Sequence, residues 1–164
     1  MAHYSFLKDL KDSKIAVSLI ANRYRSQGLT VEEMISKEQQ KLGDLLIVEH
    51  GTYHEIKYDI MAASTNNLCF EIANGKGDLT GIARTEAHLV HYVVPGKDKK
   101  DFLVFTFDTH RLKQFIFDPL NSSKVRAVQG GDRRKYSMLI VSIETIINDK
   151  VASQVEVMNA ELQV

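Results

Sequence analysis

The chain has 164 residues, enough to bury one sizeable core, and its 44% hydrophobic and 26% charged residues give the balance of an ordinary globular domain. Equal numbers of basic and acidic residues, 21 of each, leave no net charge, which excludes a protein that coats nucleic acid through bulk charge but not one with locally sorted charge. A single cysteine, Cys69, excludes an internal disulfide and a cysteine-based zinc cluster and fits a reducing, cytoplasmic setting.

No apolar run is long enough to span a bilayer, and Met1-Ala2-His3-Tyr4-Ser5 lacks the basic-then-apolar layout of a secretory signal. Ser13 to Gln27 is predicted as a helix, with Ser13 as cap, Ala16, Val17, Ile20 and Tyr24 on one face, and Gly28 at its end. Thr30-Val31-Glu32-Glu33 has the form of a capping box and predicts a second helix to about Lys41, closed by Gly43. Strands are predicted at Asp44–Val48, Tyr53–Met61 and Leu68–Ala73, joined by short turns that favour antiparallel pairing. Asn74 to Gly81 is a glycine-rich loop with the spacing of neither a P-loop nor a dinucleotide fingerprint.

A short helix is predicted over Arg84–Ala87, then strands at Leu89–Val94 and Phe102–Phe107 around the turn Pro95-Gly96. Asp108 or Thr109 can cap a helix through Phe117. Val125–Val128 and Ser137–Val141 are strands around Gly130-Gly131, and a helix is predicted from about Ile143 to the end. With no repeat and no internal boundary, residues 1–164 form a single α/β domain with helices against a mixed sheet.

Side chains alternate along a strand, so Glu55, Lys57 and Asp59 share one face while Ile56, Tyr58 and Ile60 take the other. The turn His50-Gly51-Thr52 folds this strand onto the one opened by Asp44, which can bring Asp44 near Glu55. Two carboxylates and a lysine at one spot can hold a divalent cation and activate water. The same charge alternation also describes a solvated strand face, and Asp44 also suits a simple turn.

The ordered pieces Glu55-Ile56-Lys57-Tyr58-Asp59, Asn67-Leu68-Cys69-Phe70-Glu71 and Gly81-Ile82-Ala83-Arg84-Thr85 resemble the PD-(D/E)XK nuclease superfamily. The likeness is to a phage-type subgroup reading Glu-x-Lys-x-Asp, Asn-x-x-x-Glu and Gly-Ile-x-x-Thr, and it covers about Ser13 to Val94. The resemblance implies a restriction-endonuclease-like fold, a mixed central sheet flanked by helices. It implies a Mg²⁺-dependent deoxyribonuclease, with Mn²⁺ as a substitute, that acts as an endonuclease in phage recombination or replication. DNA is the implied partner, and two active sites in a homodimer would suit two strands.

By the same resemblance Asp44, Glu55 and the Ile56 carbonyl hold the metal, and Lys57 orients water or stabilises the phosphorane. Asp59 and Glu71 are auxiliary acids, with an ordinary strand carboxylate as the plainer meaning of Glu71; Arg84 and Thr85 either simply start a helix or contact phosphate, since amides at a helix N-terminus favour anions. The cluster Arg133, Arg134 and Lys135 is a further phosphate-contacting candidate from charge, with a solvated turn as its plainer meaning. The sequence departs from the family pattern at Gly43, where a proline precedes the aspartate, and in the first helix, which has no glutamate; Asp9 or Asp12 stands nearest in its place. A non-catalytic nucleic-acid- or host-protein-binding module is the alternative function. The histidines, including His88 and His91, lack a zinc-protease pattern and are expected in the core or on the surface.

Overall fold

The computed structural model describes residues 6–130 and 135–160. Helix α1 (Phe6–Ser26) starts seven residues before Ser13 and buries Ala16, Leu19, Ile20 and Tyr24, a helical spacing that forms one stripe. It ends in a Schellman motif: Gly28 has φ +82°, its N–H donates to the Arg25 carbonyl, and the Leu29 N–H donates to the Tyr24 carbonyl.

The second helix does not form. Val31–Glu33 is strand β1, and only Gln39–Lys41 winds into a 3-10 turn. The capping-box partners are engaged elsewhere: the Thr30 N–H and hydroxyl both donate to Glu49 (2.6 Å from the hydroxyl), while Glu33 pairs with Arg25. With Thr30 so held, β-branched Val31 pairs with Ile47.

Strands β2 (Leu45–Ile47) and β3 (Thr52–Tyr58) form the expected antiparallel pair around Gly51 at φ +62°. The third expected member leaves the sheet. Asp59 Oδ1 accepts from the Met61 and Ala62 N–H groups and starts the helical turn α2 (Ala62–Thr65). That turn lifts β4 (Asn67–Ala73) into a second sheet, β4-β8-β7, with β7 at Val125–Gly130 and β8 at Tyr136–Ser142.

After α3 (Gly81–Arg84), which ends where the Arg84–Ala87 helix was expected to begin, β5 (Leu89–Pro95) pairs parallel to β3. Strand β6 (Asp101–Asp108) follows antiparallel to β5, and α4 (Thr109–Phe117) is capped by the Asp108 carboxylate accepting from the Arg111 N–H. Helix α5 (Ile143–Asn148) stops after six residues, and Gln154–Asn159 is β9 rather than a continuing helix. The larger sheet is therefore mixed, in the order β1-β2-β3-β5-β6-β9. Among the described residues, no helix is long and apolar enough to cross a membrane.

Each face of the larger sheet has its own core. Ile20, Tyr24, Leu45, Ile47, Val93 and Val104 pack beneath α1. Phe70, Tyr92, Phe105, Phe107, Leu112 and Val141 fill the space between the sheet, the second sheet and α4. Within the α1 layer four polar side chains run across three strands: Thr52 Oγ1 lies 3.0 Å from His54 Nε2, His54 Nδ1 3.0 Å from His91 Nε2, and His91 Nδ1 3.0 Å from Thr106 Oγ1. Both histidines are fully buried core residues, as expected for His91, and Tyr24 packs edge-on against them.

Candidate active site

Asp44 is fixed from three directions. Its N–H donates to the His54 carbonyl (2.8 Å), its carbonyl accepts from the Met34 N–H (2.8 Å), and its Oδ2 accepts from the Ile56 N–H (2.7 Å). The last bond attaches the Asp44 carboxylate to the backbone between Glu55 and Lys57. Gly43 makes this approach possible. Its φ is +149°, and a Cβ there would lie 2.8 Å from the His54 carbonyl oxygen. A proline, fixed near φ −65°, cannot occupy that position, so Gly43 is a requirement of this backbone rather than a permissive replacement.

On β3 the alternation holds. Ile56 and Tyr58 pack under α1, and Glu55 and Lys57 line a cavity of about 110 Å³ on the opposite face with Cys69, Glu71, Thr85 and Tyr92. Glu55 is half-buried and, among the described residues, has neither a hydrogen bond nor an ion pair. Burial, and then the neighbouring Asp44 charge, push its carboxyl up to about 7, while Lys57 acts weakly in the opposite sense. Burial also raises Asp44, against the stabilising bond from Ile56.

Three acids of the sequence reading separate here. Glu71 lines the Glu55–Lys57 cavity. Asp59 does not: its Oδ1 holds the start of α2, and its Oδ2 accepts from the Tyr92 hydroxyl. Asp12 cannot stand in for a first-helix glutamate, because it is buried on the α1 side, where it pairs with Lys99 at 3.1 Å and adds to the burial that raises the Tyr58 phenol. The Asp9 side chain lies outside the described residues.

The phosphate candidates also separate. Arg84 and Thr85 line a second, wider cavity of about 410 Å³ that shares Glu55, Gly81 and Thr85 itself with the first. Lys37, Gln40 and Lys41 form its other wall, a contribution hidden by reading that segment as the surface of a helix. Lys135 is exposed beside Gly75 at the start of β8 and lines neither cavity, while Arg133 and Arg134 lie outside the described residues.

Among the described residues no three His, Cys, Asp or Glu side chains form a metal-holding group. A cage of protein ligands is therefore not what this site offers. Mg²⁺ uses one or two carboxylates and fills its remaining positions with water and phosphate oxygens, and an unpartnered, half-buried Glu55 that feels the Asp44 charge suits that demand.

No protein-family model and no curated protein matches the sequence.

Proposed function

We propose that the protein is a Mg²⁺-dependent deoxyribonuclease, an endonuclease with a restriction-endonuclease-like arrangement that serves recombination or replication of DNA. The observation that carries this reading is the Asp44 carboxylate bonded to the Ile56 N–H, with Glu55 near enough to feel its charge and Lys57 on the same strand face as Glu55.

Asp44, Glu55 and the Ile56 carbonyl would hold the cation. When bound, Mg²⁺ or Mn²⁺ neutralises charge on the attacked phosphate and lowers the pKa of a coordinated water. The protein's own contribution begins with placement. Asp44 is fixed by backbone bonds, so little reorganisation remains when the substrate arrives. Lys57, exposed at the cavity, supplies a compact positive charge where the pentavalent phosphorus gathers negative charge. Glu71 lies in the same cavity, where it can accept a proton from or orient a water.

A binding module without catalysis is the competing reading, favoured by the engagement of Asp12 with Lys99, which leaves the described first helix without an acid at the site. The test is incubation of purified protein with linear, nicked, branched and single-stranded DNA, with and without Mg²⁺ or Mn²⁺. Metal-dependent cleavage that is lost in Asp44→Asn and Glu55→Gln supports the enzyme. Binding without cleavage of any form at millimolar Mn²⁺ refutes it.

A further inference from the structure

The wider cavity has a composition that the chemistry at Asp44 and Glu55 does not require. Lys37, Lys41 and Arg84 face it, and among the described residues none of the three has an ion-pair partner. In a chain of zero net charge this is local segregation of positive charge. The cavity's only acid among the described residues is Glu55, on the wall shared with the smaller cavity.

Both walls are built rather than incidental. On one side Gln39–Lys41 forms a 3-10 turn, with the Gln39 N–H bonded to Ser36 Oγ at 3.2 Å, and Lys37, just before it, and Lys41, at its end, both line the cavity. On the other side α3 lies flush on β4: a Cβ on Gly81, whose φ is +48°, would come 2.4 Å from the Glu71 carbonyl oxygen. Lys113 fixes the far end of α3 by donating to the Thr85 carbonyl at 2.7 Å.

The two volumes ask for different occupants. About 110 Å³ is the room of roughly three or four waters, and apolar Phe70, Ile82 and Val90 in its lining leave no place for a nucleotide. The wider one, about 410 Å³, is a groove open to solvent and lined mainly by polar side chains, and its cations call for an anionic chain lying along it.

We propose that the wider cavity is a second phosphate subsite, in which Lys37, Lys41 and Arg84 hold the nucleotide next to the one attacked at Asp44 and Glu55. The site then recognises a chain of at least two successive phosphates, with Glu55 at the junction. This rests on the nucleic-acid reading of the site but not on catalysis.

Binding of a fluorescent 12-nucleotide DNA, single-stranded and duplex, is measured by anisotropy in EDTA over a range of salt, so that no cleavage intervenes. Lys37→Gln with Lys41→Gln should weaken binding by about tenfold at low salt and reduce the slope of log K against log salt by about 1.4 to 1.8, the share of two phosphate contacts. Lys97→Gln with Lys100→Gln, an equal charge change on the exposed β5–β6 turn, should move neither by more than a small fraction of that. All four lysines are exposed, so melting temperatures should stay at the parent value. Parent-like binding by the Lys37/Lys41 variant, or an equal loss in the Lys97/Lys100 variant, overturns the subsite. If the Lys37/Lys41 effect appears while no metal supports cleavage, the nuclease reading fails and the subsite stands.

Discussion

Replacing Glu55 by glutamine should change how metal-free stability depends on pH. Glu55 is raised from 4.5 to about 7 in the folded protein, so between those values the folded state keeps a proton that the unfolded chain releases. Stability from this proton is fully present below about pH 4.5 and is lost as pH rises through about 7. The change from 4.5 to about 7 sets the loss at about 3.5 kcal/mol, or roughly 7 to 14 °C in melting temperature for a chain of this size. The variant's neutral amide has no proton to lose.

Thermal and urea unfolding of the parent and Glu55→Gln in EDTA, from pH 4.5 to 8.5, isolates the effect. His54 and His91 titrate in both proteins and cancel in the difference. The variant should gain on the parent across this window and then run parallel to it. Mg²⁺ above pH 7 should restore the parent and leave the variant unmoved. Parallel curves over the whole range would refute the close, buried pairing of Glu55 with Asp44.

Further outcomes follow from the same geometry. Lys57→Ala should keep the parent's melting temperature, since the side chain is exposed, but lower the rate of DNA cleavage by about a hundredfold or more; an unchanged single-turnover rate would remove Lys57 from the chemistry. Asp44→Asn with Glu55→Gln should abolish the rise in melting temperature that millimolar Mn²⁺ gives the parent, and a surviving shift would place the metal elsewhere. Gly43→Ala should cost about 1 to 3 kcal/mol through strain at φ +149° and contact with His54, and should weaken cleavage by displacing Asp44; a parent-like melt would contradict the close approach.

The elements that the sequence announced are those in which local pattern and tertiary demand agree. Period-two alternation separated Glu55 and Lys57 from Ile56 and Tyr58, and one short turn brought Asp44 beside them. Asp108 capped α4 as its position indicated. Errors arose where a distant partner outcompeted a local one. Thr30 had a capping partner three residues on, but Glu49, 19 residues away, took both its donors. Strand β4 followed β3 by a short link, but Asp59 turned the chain, and β8, about 70 residues later, supplied the pairing. Lys37 and Lys41 were invisible as site residues because their importance lies in facing Arg84 across a cavity that no local pattern records.

The buried chain Thr52–His54–His91–Thr106 sets a rule of proton parity behind the reactive strand. Each neutral imidazole has one N–H and one lone pair, so a donor on one link fixes the donor on the next. The rings therefore reverse tautomers together or not at all. A single extra proton keeps every link, because a threonine hydroxyl at either end can turn and accept, but it lodges a charge on rings that are buried away from water. Burial, helped by His88 and His50, already holds His54 down to about 4. The unfolded histidine takes up its proton near 6.5, so stability is present above that pH and drains away as pH falls toward 4. Because the His54 carbonyl also anchors Asp44, acid that opens this chain loosens the carboxylate pair from behind, before any substrate is near.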